Sequence, residues 1–319
     1  MVSTGPGLSL VQDDLAGVER ALAETAQPDH PLLGPMLSTI LPGSGKRLRP
    51  SLALLVGRLG EFRPEPMLHM ATGVELLHTA SLVHDDVVDE SELRRGARTL
   101  FTRVGNALAV LVGDYLFAQS AARCVATNNV RVIGLFAQTL ASMCQGQIEE
   151  ASRGNNPHLT VTKEAYVQTI WGKTASLFVL ACEGSAVLAG LPEPQIQALR
   201  TYGDRLGLAF QIVDDALDFV GDESVLGKRV GSDLRQGTIT LPVIYLRDTM
   251  PESEFRAAFD QYDADRLVEL VRGSTAIDRT YAEAERLLAE ARDALRLAPA
   301  GEARDALESL TAYVVDRRV

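Results

Sequence analysis

The sequence predicts an all-α protein folded as a single domain. Three observations carry that reading. Apolar residues recur with helical spacing from end to end, no convincing strand-hairpin alternation appears, and the breaks fall on Pro, Gly and Asn clusters. In chain order, helices are predicted over residues 10–25, 31–41 and 50–59, with Leu41-Pro42-Gly43-Ser44-Gly45 as the break between the last two. Long apolar helices follow over 66–89, 105–127 and 131–153, the last ending at Gly154-Asn155-Asn156-Pro157. A helix over 162–189 stops at Gly190-Leu191-Pro192, and 193–220 and 239–248 complete the apolar middle of the chain. Past residue 250, the helices at 252–259, 264–273, 276–297 and 302–315 are more charged and amphipathic, which suits an outer layer. The domain is read as spanning 1–319, with peripheral helices over 251–319.

At 319 residues and 46% hydrophobic, the chain can bury a substantial core. A formal charge of −11 argues against nucleic acid as partner, because such proteins carry basic patches. An anionic ligand stays open, since a bound cation inverts the local field. Three cysteines, Cys124, Cys144 and Cys182, have no CxxC spacing and read as buried apolar side chains in a reducing compartment. Residues 1–10 show neither the basic nor the apolar region of a signal peptide. No run of eighteen apolar residues exists, and the nearest approach, 107–122, is broken by Gly113 and Asp114. A cytoplasmic protein without a transmembrane segment is expected.

One acidic pattern occurs twice, as Asp85-Asp86-Val87-Val88-Asp89 and Asp214-Asp215-Ala216-Leu217-Asp218. Both copies lie in apolar, helix-compatible sequence, where positions i and i+4 share a face. Clustered carboxylates repel one another and resist dehydration, so a hard divalent cation with oxygen ligands is the candidate compensation. Arg94 and Arg95 follow the first copy, and guanidiniums hold phosphate oxygens bidentately. Carboxylates and arginines together read as a metal-bridged diphosphate site. The upstream Gly43-Ser44-Gly45-Lys46-Arg47-Leu48-Arg49-Pro50 is a loop with three cations but no P-loop, since Arg47 stands where Ser or Thr is required.

With Gly45-Lys46-Arg47-Leu48-Arg49-Pro50, Glu75-Leu76-Leu77-His78, both aspartate motifs and Arg94-Arg95-Gly96, the chain resembles the trans-isoprenyl (polyprenyl) diphosphate synthases, long-chain type. Further matches are Gly105-Asn106, Gly113-Asp114-Tyr115-Leu116, Gly172-Lys173-Thr174-Ala175, Leu226-Gly227-Lys228 and Gly231-Ser232-Asp233-Leu234. The resemblance implies an isoprenoid-synthase-type bundle around a deep central cavity, with the catalytic core at about 43–250. It implies Asp85, Asp89 and Asp214 as direct Mg²⁺ ligands, with Asp86, Asp215 and Asp218 completing the inner or outer shells of three bridging ions. Arg94, Lys173 and Lys228 would hold the allylic diphosphate, and Lys46, Arg49, His78 and Arg95 isopentenyl diphosphate. Thr174 and Gln211 would offer oxygen dipoles to a developing allylic cation. Asp114 reads as a capping or pairing residue, and His30, His69, His84 and His158 as ordinary core or surface histidines. A homodimer is implied too, with room for transient membrane contact at product release.

In this family the residues just before the first aspartate set how far the growing tail descends. Ala80 and Ser81 are small, where short-chain enzymes carry a large aromatic, so a product of C25 or longer is expected, in the C30–C50 range of quinone side-chain precursors. Leu77, Leu111 and Phe117 are candidates for the cavity floor. One departure stands out: Gly237-Thr238-Ile239-Thr240 has threonine where many relatives carry lysine. The alternatives are a geranylgeranyl or farnesyl diphosphate synthase, or the catalytic subunit of a heterodimer. A terpene cyclase is disfavoured, because it would replace the second motif and would not need Lys46, Arg49 and Arg95.

Overall fold

The computed structural model describes residues 8–41, 47–94, 96–154, 161–221, 229–251, 253–255, 257 and 264–316. A short 3₁₀ turn, Leu8–Val11, leads into α1 (Gln12–Thr25), α2 (Leu33–Ile40) and α3 (Leu48–Gly57). The middle of the chain follows, with two short helices among longer ones: α4 (Pro64–Val88), the short α5 (Leu100–Val104), α6 (Asn106–Ala126), α7 (Val130–Gly154), the short α8 (Lys163–Ile170), α9 (Ser176–Leu188) and α10 (Glu193–Val220). After these come α11 (Ser232–Arg235), α12 (Leu241–Arg247), α13 (Ala264–Arg272), α14 (Ala276–Leu295) and α15 (Glu302–Asp316).

Burial explains the packing. The stripe Ala109, Val112, Gly113, Leu116, Ser120 and Cys124 lays α6 along α4, and Ser120 Oγ donates to the Gly73 carbonyl at 2.6 Å. Every residue of α9 except Val187 is buried, and α9 sits against α3, α4, α7 and α10. The amphipathic α14 covers α10, and Tyr202 of α10 donates its hydroxyl to the Leu307 carbonyl of α15 at 2.7 Å. One cluster of buried apolar side chains runs from Val11 to Val314.

The structure departs from expectation in several places, beginning with two short helices, α5 and α11, that lie outside the predicted ones. Leu93–Arg94 and Ala97–Arg98 form a small antiparallel hairpin, pairing Leu93 with Arg98 and Arg94 with Ala97. Four residues, half of them charged, carry no alternation to read, and Gly96 turns the chain at φ +77°. The helix expected over 162–189 is split by a π-helical segment, Trp171–Ala175. Cys144 is exposed rather than buried, because the inward stripe of α7 runs through Val132, Phe136, Thr139, Met143 and Gly146. Leu111 is also excluded as a cavity floor: it is 60% exposed on the outer side of α6, off the stripe that meets α4. By length and composition α6 is, among the described residues, the one helix capable of crossing a membrane.

Candidate active site

The first aspartate motif ends a helix. Asp85 and Asp86 occupy the last turn of α4, and Asp89 is its C-cap, donating its N–H to the Asp85 carbonyl at 2.8 Å. Asp85 is half-buried and Asp89 exposed, so both carboxylates are accessible. Burial pushes the Asp85 carboxyl up to about 6, with Lys173 opposing and Asp89 adding to the shift. Asp86 is buried and accepts from Arg94 Nε at 2.8 Å, which ties the motif to the hairpin. Burial raises Asp86 as well, against the pull of Arg94.

The second motif lies inside α10. Asp214 is half-buried, but Asp215 and Asp218 are only 2% and 1% exposed. The two oxygens of Asp215 accept from the Tyr166 hydroxyl at 2.6 Å and from Gln211 Nε2 at 2.8 Å. Burial holds this carboxyl well above its ordinary range, with Asp233 reinforcing the shift. Asp218 accepts from Ser232 Oγ at 3.0 Å and from the Asp233 N–H at 3.1 Å, while its carbonyl takes the Gly231 N–H at 2.7 Å. It thereby organises the Gly231-Ser232-Asp233-Leu234 turn.

Lys173 and Thr174 sit in the π segment. Two glycines let that segment approach α7 closely: a Cβ on Gly172 would lie 2.7 Å from the Ser142 carbonyl oxygen, and one on Gly146 would lie 2.5 Å from the Lys173 nitrogen. Lys173 pairs with Glu150 of α7. Burial alone would lower the ammonium, but Asp85, Glu150 and Asp89 outweigh it and hold the group above its ordinary value. Lys173 thus stands in the field of the first motif. Thr174 Oγ1 donates to Gln211 Oε1 at 2.7 Å.

Arg49 and His78 come together, with Arg49 Nη1 3.1 Å from His78 Nε2. The Arg49 guanidinium lies over the Phe178 ring at 4.7 Å and near the Phe210 ring at 5.9 Å. The neighbouring Arg47 does something else: at φ 47° it turns inward, donating to Glu75 and Glu19 at 2.6 Å each and to the Leu41 carbonyl at 3.0 Å. Lys46, Arg95 and Lys228 lie outside the described residues, as does most of the glycine loop before Arg47. Ala80 and Leu77 are fully buried, and Ser81 is half-buried with its hydroxyl donating to the His78 carbonyl at 2.8 Å. His84 packs against Gly113 and meets Phe117 edge-on, with ring centroids 5.0 Å apart.

Tyr166, Glu150 and Phe178 went unnoticed in the sequence, and Glu75 and Asp233 stood in matched motifs without a role of their own. The one available signal was Gln211, a polar side chain in an apolar run that demands a buried partner.

Comparison with known proteins identifies the family. The family model described as polyprenyl synthetase matches residues 30–271. The chain belongs to the polyprenyl synthetase family. Over 97% of both chains it is 39% identical to a protein named heptaprenyl diphosphate synthase component 2 from Geobacillus stearothermophilus. A polyprenyl synthase from Caulobacter crescentus CB15, solved with calcium and isoprenyl diphosphate, superposes with a TM-score of 0.92 at 36% identity, covering 100% of this chain and 99% of that one. A decaprenyl diphosphate synthase from Rhodobacter capsulatus gives 0.90 at 36% identity, covering 98% of each. As a polyprenyl synthetase the protein is a prenyltransferase with the all-α isoprenoid synthase fold.

The family uses a divalent metal, and the residues present fit one. Asp85 is a partly dehydrated carboxylate with raised proton affinity, the situation a divalent cation relieves. Among the described residues no three His, Cys, Asp or Glu side chains converge into a ready-made cage. That suits a cation held by one or two carboxylates together with substrate phosphates and water.

Proposed function

We propose that the protein is a cytoplasmic long-chain trans-polyprenyl diphosphate synthase, joining isopentenyl diphosphate units to an allylic diphosphate until the product reaches C25 or longer, within C30–C50. The observation that carries this reading is Lys173, a cation between the first aspartate motif and the Thr174–Gln211 pair. Asp85, Asp89 and Asp214 would hold the cations, three Mg²⁺ ions in this reading. Bound Mg²⁺ supplies stabilisation of the charge that accumulates on the departing diphosphate. Lys173, Arg94 and Lys228 orient the allylic diphosphate so that its C–O bond ionises. Lys46, Arg49, His78 and Arg95 hold isopentenyl diphosphate with its double bond toward the cation. Arg49 is steered by Phe178 and Phe210, whose rings also keep water from that side. No side chain is nominated as base, and the released diphosphate takes the proton.

A homodimer is the proposed assembly. Leu108, Leu111 and Val125 on α6, with Val130 and Ile148 on α7, are exposed large apolar side chains that a second copy would cover. The Geobacillus relative is named as a component, so a heteromeric partner is the second reading.

The assay is direct: purified protein, Mg²⁺, farnesyl diphosphate and labelled isopentenyl diphosphate, with products resolved by chromatography. Elongation to C25 or beyond without an added partner supports the homomeric long-chain enzyme. No turnover with or without EDTA counts against it, and products stopping at C15 or C20 refute the chain-length reading. Ala80→Phe is expected to shorten the product, because a fully buried methyl is replaced by a ring in the tail's path.

A further inference from the structure

We infer that Asp215 and Tyr166 are positioning residues that set the direction of a hydrogen-bond relay, so that Thr174 presents its lone pairs, not its hydrogen, to the reacting centre. The inference rests on the proposed prenyl transfer and adds two residues to it. The relay joins three segments. Tyr166 comes from α8, Gln211 and Asp215 stand one turn apart on α10, and Thr174 comes from the π segment.

Donor and acceptor chemistry fixes its polarity. Gln211 faces Asp215 Oδ1 with Nε2, at 2.8 Å, the arrangement that an ionised carboxylate requires. Beside the ionised form, an amide turned the other way would set two oxygens against each other in a site where Asp215 is 2% exposed. Gln211 Oε1 therefore faces Thr174 and takes its one hydroxyl hydrogen at 2.7 Å. A hydroxyl has a single hydrogen and two lone pairs. With the hydrogen committed to Gln211, the Thr174 oxygen can only offer negative charge to an allylic cation, and it is preorganised before the cation forms. Tyr166, 3% exposed, donates to Asp215 Oδ2 at 2.6 Å and stops the carboxyl from rotating away from Gln211. Asp215 is thus committed to protein donors, while Asp85, Asp89 and Asp214 remain for the cations.

The test uses the full-length protein with Tyr166→Phe, Asp215→Leu and the double variant. Asp215→Leu keeps the approximate shape but strands two donors. The double variant removes one of these as well and should recover part of the fold's stability. Expected is a fall in kcat of roughly 30- to 100-fold for Asp215→Leu and for the double variant. For Tyr166→Phe the fall should be about three- to tenfold. KM for both substrates should stay within about threefold, as should the affinity for Mg²⁺ titrated calorimetrically with inorganic diphosphate, since no cation or substrate ligand is lost. A double variant with wild-type kcat overturns the relay, and so does a tenfold or greater loss of Mg²⁺ affinity in Asp215→Leu. Where the Leu variants do not fold, Tyr166→Phe decides: unchanged kcat refutes the inference, and a kcat loss at constant KM supports it. Wild-type protein that fails to elongate refutes the proposed function, whereas active wild type with unaffected variants refutes the relay alone.

Discussion

The two aspartate motifs read alike in sequence and live differently in the fold. On α4 the pattern coincides with the end of the helix, so Asp85 and Asp89 stay accessible while Asp86 anchors Arg94. On α10 the pattern ends just before the helix does, at Val220, and two of its three carboxylates turn inward to Tyr166, Gln211, Ser232 and Asp233. One motif leaves two of its three carboxylates accessible, and the other is mostly internal, with one outward carboxylate. A repeated pattern need not mean a repeated role. What separates the copies is where each helix stops and which face its neighbours cover.

The comparison breaks first at Asp85. Asp85→Asn should cost roughly a thousandfold in kcat, as expected when a group that stabilises transition-state charge is removed. The same variant should make the metal-free protein more stable at pH 7 to 8. A folded-state value near 6, above the ordinary 3.8, means the folded protein binds more protons than the unfolded chain between those pH values. Stability therefore falls as pH rises from about 4 to about 6 and stays lower above, a loss that Asn removes. Melting curves in EDTA check this: a gain at pH 7.5 that vanishes near pH 4 is expected, and no gain at pH 7.5 would sink the account.

A smaller effect is expected between the motifs, at the glycine seam beneath Lys173. Gly146→Ala brings a methyl to 2.5 Å from the Lys173 nitrogen and 2.9 Å from the Thr169 carbonyl oxygen, so backbone must part from backbone. Overpacking of this kind costs about 1–3 kcal/mol. The melting temperature should drop, and KM for the allylic substrate should rise as Lys173 moves.

Asp218→Asn should be the mildest. The amide keeps one acceptor for Ser232 or Asp233 and loses the other, costing about 1 kcal/mol and a few-fold in kcat. If it proves as damaging as Asp85→Asn, with Mg²⁺ affinity lost, the two motifs are equivalent after all.

Much of the fold was legible in the chain. The helix expected over 193–220 forms over Glu193–Val220, because its apolar face recurs from Pro194 to Gly221 and the interior Gly203 and Gly207 are sites of close packing against Phe178 and its neighbours, not breaks. The hairpin at Leu93–Arg98 was not legible, since four paired residues held by a glycine turn leave no period. Neither was the π segment, which depends on two glycines in different helices meeting across a seam. For the site, local pattern was enough to bring forward the two aspartate motifs, Arg94 and Arg95, whereas Arg49, His78, Lys173, Thr174 and Gln211 became candidates only through the family resemblance of the motifs around them. It carried no sign that Arg47, beside Arg49 in the same basic loop, would turn inward to Glu19 and Glu75.

By itself the sequence determined where the long helices form and which carboxylates and cations are available, since these depend on residues a turn or two apart. Only the tertiary structure decided that Asp215 and Asp218 face the interior while Asp85 and Asp89 face out. Tyr166 lies 49 positions before Asp215, and no local rule links them. A carboxylate's role depends on what surrounds it, and its surroundings come from other parts of the chain.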